Sequence, residues 1–175
     1  MPIKTIFLDR DGVINKEINY LHRIEDFEFI DGIFEACIHF KSLGYKIIVV
    51  TNQSGIARGY YSENDYQMLS NWMKNQFQTK NIDILDIFHC PHGPKSKCIC
   101  RKPKPGMLLK ALQKYDIDME KSWLIGDKET DIICANKAGI FNTVLVKSGH
   151  KINESPSKAK FILGTILDSN KVITS

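Results

Sequence analysis

No stretch of this sequence stays apolar for the roughly 20 residues that a bilayer-crossing helix needs. The opening MPIKTIFLDR turns charged too early for the apolar core of a secretory signal. No membrane partner is therefore expected, and the cytoplasm is the expected location. Low-complexity tracts and internal repeats are absent as well, which excludes fibrous and solenoid architectures. Charge of one sign is not in large excess, since 24 Lys and Arg stand against 20 Asp and Glu, a net of +4. With the lysines scattered, a solvated surface is expected and a nucleic-acid groove is not. Cysteine is scarce, with five in the chain, and a reducing compartment argues against a disulfide framework. There are only two tryptophans, Trp72 and Trp123. They fall on helical and strand patterns and read as core, not as substrate platforms.

What is present fits one soluble domain, with a monomer as the default. A length of 175 residues and a hydrophobic share of 43% suffice for a single core. Residues 3–8 form a short apolar run that ends in Asp9, a buried strand entering a turn. Residues 31–43 carry apolar side chains at helical spacing and stop at Gly44. The β-branched run 45–50 reads as a strand buried on both faces and leads into a polar turn, residues 51–59. Ser62, with Asp65 three positions on, predicts a capped helix to about residue 79. Strands follow over 82–88, 122–125 and 143–146, with helices over 105–115 and 128–138. Such alternation predicts an α/β Rossmann-like three-layer sandwich around a central parallel sheet, with ligands at the carboxyl ends of the strands. Order is expected to be poorest at the C-terminal end.

Those strand ends carry chemistry. Asp9 and Asp11 stand two apart on extended chain, so both carboxylates can lean toward the mouth of the sheet. Their repulsion is relieved by a hard divalent cation such as magnesium, with Asp127 after a later strand as third contributor. Asp9 then suits in-line attack on phosphorus, and Asp11 suits proton donation to the leaving oxygen. Lys102, the Thr51 hydroxyl and backbone N–H groups are the candidates to stabilise the equatorial phosphoryl oxygens. An Asp-x-Asp pair alone is often no more than a turn. Four strand-end elements in order, Asp9-x-Asp11-Gly12, Thr51-Asn52, Arg101-Lys102 and Gly126-Asp127, are hard to obtain by chance.

A second pattern lies between residues 90 and 100. Cys90-x-His92 and, after five intervening residues, Cys98-x-Cys100 supply three thiolates and an imidazole, a complete tetrahedral set for zinc. Four protein ligands leave no open position, so this zinc is expected to be structural. Arg101 and Lys102 follow ligand Cys100 directly, so the metal would fix the backbone that aims both cations. Cys37 and Cys134 sit among apolar helix residues and read as core.

The motifs FLDRDGVIN, VVVTNQSGIARG, CRKPKPGM and LIGDKETD together resemble the haloacid dehalogenase superfamily of phosphohydrolases. That resemblance implies Asp9 as nucleophile, Asp11 as acid/base, phosphate-binding roles for Thr51 and Asn52, Lys102 as the third-motif lysine and Asp127 as the fourth-motif acid. One departure is that Lys128 stands where a second acid usually follows the fourth-motif Asp, which leaves Asp131 to hold a coordinating water. Within the superfamily the chain resembles a small, capless, zinc-containing branch that acts on small phosphorylated substrates, heptose bisphosphates and, alternatively, histidinol phosphate. The same resemblance implies that Glu17, Asn19 and Tyr20 in the first loop contact sugar, with Gln53, Ser54, Arg58, Arg101 and Lys128 as further substrate contacts. A different reading, a non-catalytic zinc-dependent binding module, requires the intact fourfold constellation to be vestigial.

Overall fold

A computed structural model describes residues 1–148 and 157–175. Its centre is a six-stranded sheet. In chain order the strands are β1 (Thr5–Leu8), β2 (Lys46–Asn52), β3 (Ile84–Cys90), β4 (Trp123–Gly126), β5 (Asn142–Val146) and β6 (Phe161–Leu163). Their spatial order is β3-β2-β1-β4-β5-β6, and every neighbouring pair is parallel. The chain winds outward from β1 in both directions, so the order reverses beside β1, the place where doubly wound sheets bind ligands.

Side chains alternate across this sheet as strand geometry requires. Ile6, Leu8, Ile47 and Val49 enter one core, beneath α1 (Ile33–Ser42) and α2 (Glu63–Gln78). Phe7, Ile48 and Val50 enter the other, beneath α3 (Gly106–Lys114) and α4 (Glu129–Lys137). This two-sided burial explains why the strands read as continuous apolar runs and not as alternating ones. The α2 start is as predicted: the Ser62 hydroxyl accepts the Asp65 N–H at 3.0 Å, and the Asp65 carboxylate accepts the Ser62 N–H at 2.8 Å. Such a box contributes about 1 kcal/mol.

Two boundaries differ from the sequence reading. Thr51 and Asn52 continue β2 and do not begin the polar turn, because they pair in register with His89 and Cys90 of a β3 that lies two residues later than expected. Cys90 is therefore anchored on a strand. The C-terminal end is also more ordered than anticipated. Residues 161–163 add β6 to the sheet edge, and a 3-10 turn over Ile166–Lys171 packs against α1 through Ile166. A period-2 pattern cannot register over three residues, which is why β6 was illegible. Among the described residues no second domain is inserted. The segment between β1 and α1 holds a 3-10 turn at Ile24–Asp26 and isolated bridges from Asn15 to Asp11 and Phe29, and no helix of the described residues is long and apolar enough to cross a membrane.

Candidate active site

Each polar cluster at the mouth of the sheet is placed by a strand end. β1 delivers Asp9, whose N–H donates to the Ile125 carbonyl of β4 at 3.1 Å. β4 delivers Gly126 and Asp127. One turn into the following helix, Asp131 folds back so that its Oδ2 accepts the Asp127 and Lys128 N–H groups, both at 3.2 Å. That return is possible only over glycine, since a Cβ on Gly126 would lie 2.3 Å from the Asp131 Cβ. Lys102 arrives from the loop after β3. Its Nζ lies 2.9 Å from Asp9 Oδ1, 2.6 Å from Asp131 Oδ1 and 3.0 Å from the Val50 carbonyl oxygen.

Carboxylate oxygens of Asp9, Asp127 and Asp131 lie within 4.8 Å of one another, and all three residues are buried. Three carboxylates against one ammonium leave two negative charges in excess in a place with little water. Burial and the neighbouring Asp131 raise the Asp127 pKa to about 7. Burial first, then Asp131, also hold the Asp9 pKa well above the ordinary carboxylate range, with Lys102 opposing both. Burial disfavours the Lys102 ammonium, but Asp131 and Asp9 outweigh it and raise its pKa. A divalent cation among the three carboxylates cancels the excess charge, and hard oxygen donors are the set magnesium prefers.

The Asp11 carboxylate, expected among the magnesium ligands, stands outside this group. Its Oδ1 accepts from Arg10 Nη2 at 3.0 Å, Arg10 Nε at 3.3 Å and Asn15 Nδ2 at 3.0 Å, and its Oδ2 accepts from Gln53 Nε2 at 3.1 Å. Asp131 thus completes the carboxylate cluster, and the Asp11 side chain is held beside it. The cause is Arg10, which is 2% exposed and draws the neighbouring carboxylate toward itself. Asp131 pairs directly with Lys102.

Asn52 clips the backbone of Lys102, its Oδ1 accepting the Lys102 N–H at 3.1 Å and its Nδ2 donating to the Lys102 carbonyl at 3.4 Å. Thr51 is 1% exposed, and its Oγ1 accepts from Gln53 Nε2 at 2.8 Å. Above these groups opens a cavity of about 210 Å³. Asp9, Asp11, Asn52 and Lys102 form its base, and Glu17, Asn19, Tyr20, Gln53, Ser54, Arg101 and Lys128 line its walls. Arg58 is not among the lining residues. Its guanidinium sits 5.9 Å from the Tyr20 ring centroid, at the outer edge of the first loop.

The Cys/His loop is drawn together as its spacing predicts. Ligand atoms of Cys90, His92, Cys98 and Cys100 lie within 4.8 Å of one another, with Cys90 Sγ 3.5 Å from His92 Nδ1 and 3.8 Å from Cys98 Sγ. Three sulfurs and a ring nitrogen converging on one point form a donor set suited to a zinc ion. His89, the competing imidazole, points elsewhere, with its Nε2 2.6 Å from Glu63 Oε1.

Comparison with known proteins gives this geometry a context. The chain is 49% identical over 178 residues to D-glycero-alpha-D-manno-heptose-1,7-bisphosphate 7-phosphatase of Photorhabdus laumondii, covering 98% of this chain and 97% of that one. The chain belongs to the heptose-1,7-bisphosphate 7-phosphatase family. A beta-anomer member from Escherichia coli K12 is 41% identical, with 98% of this chain and 94% of that one covered. Residues 99–169 match the hydrolase-like family described as HAD-hydrolase-like. Among solved structures, D,D-heptose 1,7-bisphosphate phosphatase from B. bronchiseptica, complexed with magnesium and phosphate, aligns with a TM-score of 0.85 at 27% identity over 98% of both chains. The fold is thus the haloacid dehalogenase-like α/β sandwich.

Within this family frame, sequence reasoning missed Tyr61 and Thr130, which also line the cavity, and the buried Arg10. It also gave Asp131 a lesser part. A helical i, i+4 spacing from Asp127 was the available signal for Asp131. Tyr61 carries no comparable signal, since an aromatic residue just before a helix cap reads as packing.

Proposed function

We propose that this chain is a magnesium-dependent phosphatase that hydrolyses the C7 phosphate of D-glycero-D-manno-heptose 1,7-bisphosphate through an aspartyl-phosphate on Asp9. It would act in the cytoplasm, in the supply of nucleotide-activated heptose for surface polysaccharide. The observation that carries the reading is the Asp9 carboxylate, fixed at 2.9 Å by Lys102 beside two further buried carboxylates, in a chain similar over nearly its full length to phosphatases of this name.

Asp9 attacks phosphorus in line as the bond to the sugar C7 oxygen breaks, and Asp11 gives that oxygen its proton. Asp11, now a carboxylate, takes a proton from water as the water attacks the aspartyl-phosphate, which frees inorganic phosphate and restores both groups. Magnesium, when held by Asp9 and Asp127 with Asp131 beside them, supplies positive charge against the phosphoryl oxygens. Lys102 contributes its ammonium to the same oxygens. Thr51 offers its hydroxyl proton, for which, among the described residues, only a 3.5 Å approach to the Asn52 carbonyl competes. Asn52 keeps Lys102 aimed. On the cavity wall, Arg101 and Lys128 would meet the second phosphate, with Glu17, Asn19 and Tyr20 on the sugar and Ser54 beside the phosphoryl group.

A zinc ion held by Cys90, His92, Cys98 and Cys100 has a structural part in this reading, because it fixes the segment that continues into Arg101 and Lys102. The deciding assay compares phosphate release from both anomers of heptose 1,7-bisphosphate with release from histidinol phosphate. Preference for a heptose bisphosphate, abolished by Asp9→Asn, is the expected result. Preference for histidinol phosphate overturns the substrate, and release by Asp9→Asn overturns the mechanism.

A further inference from the structure

The two oxygens of Asp11 are not equivalent. Oδ1 takes N–H groups from Arg10 and Asn15, whereas among the described residues Oδ2 takes only the Gln53 amide, at 3.1 Å. Oδ2 is therefore the oxygen with room to carry a proton toward a substrate. The Gln53 amide beside it has two orientations half a turn apart. In the observed one its NH2 serves both Asp11 Oδ2 and Thr51 Oγ1, and its carbonyl accepts the Tyr61 hydroxyl. In the flipped one the carbonyl faces Asp11. It would repel the carboxylate, and it would draw the acid proton away from the leaving oxygen.

We propose that Tyr61 is a positioning residue for proton transfer at Asp11, its hydroxyl locking the Gln53 amide so that only a donor faces Asp11 Oδ2. This rests on Asp11 being the acid of the mechanism above. Three further features support it. Tyr61 is 7% exposed, and its ring lies against the backbone of Gly55, where an added Cβ would stand 2.1 Å from Tyr61 Cε1. The His22 ring lies stacked on Tyr61, with centroids 5.1 Å apart at 11°. Burial pushes the phenol pKa up to about 12, so it remains a donor throughout the working range.

The test compares leaving groups. A sugar alkoxide needs a proton to depart, while p-nitrophenolate leaves without one, so a defect in proton delivery slows only the first. Single-turnover kinetics of Tyr61→Phe, which removes nothing but the hydroxyl, should show phosphoryl transfer from heptose bisphosphate slowed about tenfold or more. KM should stay within about twofold and the p-nitrophenol burst should be unchanged. Gly55→Ala, which displaces the ring, should give the same split. Asp11→Asn serves as reference and should show the split more strongly. If Asp11→Asn shows it and Tyr61→Phe slows both substrates alike or neither, Tyr61 has no positioning part. If Asp11→Asn itself shows no dependence on the leaving group, the acid assignment fails and this inference with it.

Discussion

Replacing Asp127 with Asn isolates the charge imbalance at the base of the site. Asp127 is fully buried and its pKa is pushed to about 7, by burial first and by Asp131 second. That is about three units above an unfolded aspartate, which at about 1.4 kcal/mol per unit makes the ionised form cost on the order of 4 kcal/mol. The sign follows from linkage. Between about pH 4 and 7 the folded protein holds a proton that the unfolded chain has released, so stability of the metal-free protein falls as pH rises through that window. Above pH 7 the cost is fully present. In EDTA at pH 8, Asp127→Asn should therefore melt higher than the parent protein, although it removes a residue of the site. Magnesium reverses the order. At about 100 times its Kd, a ligand that binds only the folded state adds about 2.7 kcal/mol, which for a chain of this size is roughly 5 to 11 °C in Tm. The variant should lose most of that shift. Scanning calorimetry of both proteins with and without magnesium tests the pair of statements. A variant less stable than the parent in EDTA at pH 8, or one that keeps the whole magnesium shift, refutes the charge argument.

Stripping zinc with a thiol-compatible chelator should lower kcat more than it raises KM, because Lys102 lies two residues beyond Cys100 and loses its fixed approach; normal turnover by a folded zinc-free protein, assayed with magnesium present, would count against it. Asn52→Ala removes both hydrogen bonds to the Lys102 backbone and should reduce kcat about tenfold, since small displacements of a positioned group are costly. Steady-state kinetics with a melting curve to confirm folding would show it, and an unchanged kcat would mean that the zinc loop alone aims the lysine.

Much of this molecule was legible in its sequence. The continuous apolar strands, the Ser62–Asp65 box and the alternation of elements each follow from local rules of burial and backbone bonding, and they sufficed for a parallel sheet with Asp9, Thr51 and Asp127 near strand ends. The Cys90–Cys100 spacing likewise favours a cluster, because closing so short a loop around one metal costs little chain entropy. What tertiary structure alone decided is which carboxylates meet. Asp9 and Asp11 are neighbours in sequence, yet Asp11 turns to Arg10, Asn15 and Gln53, while Asp131, some 120 residues away, joins Asp9 on Lys102. The cause is the pairing of β1 with β4, which sets the start of α4 beside Asp9, together with a glycine at 126 that admits the Asp131 side chain. Periodicity registers what each element buries, but a buried charge chooses its partner across elements, and that choice exists only once the sheet has formed.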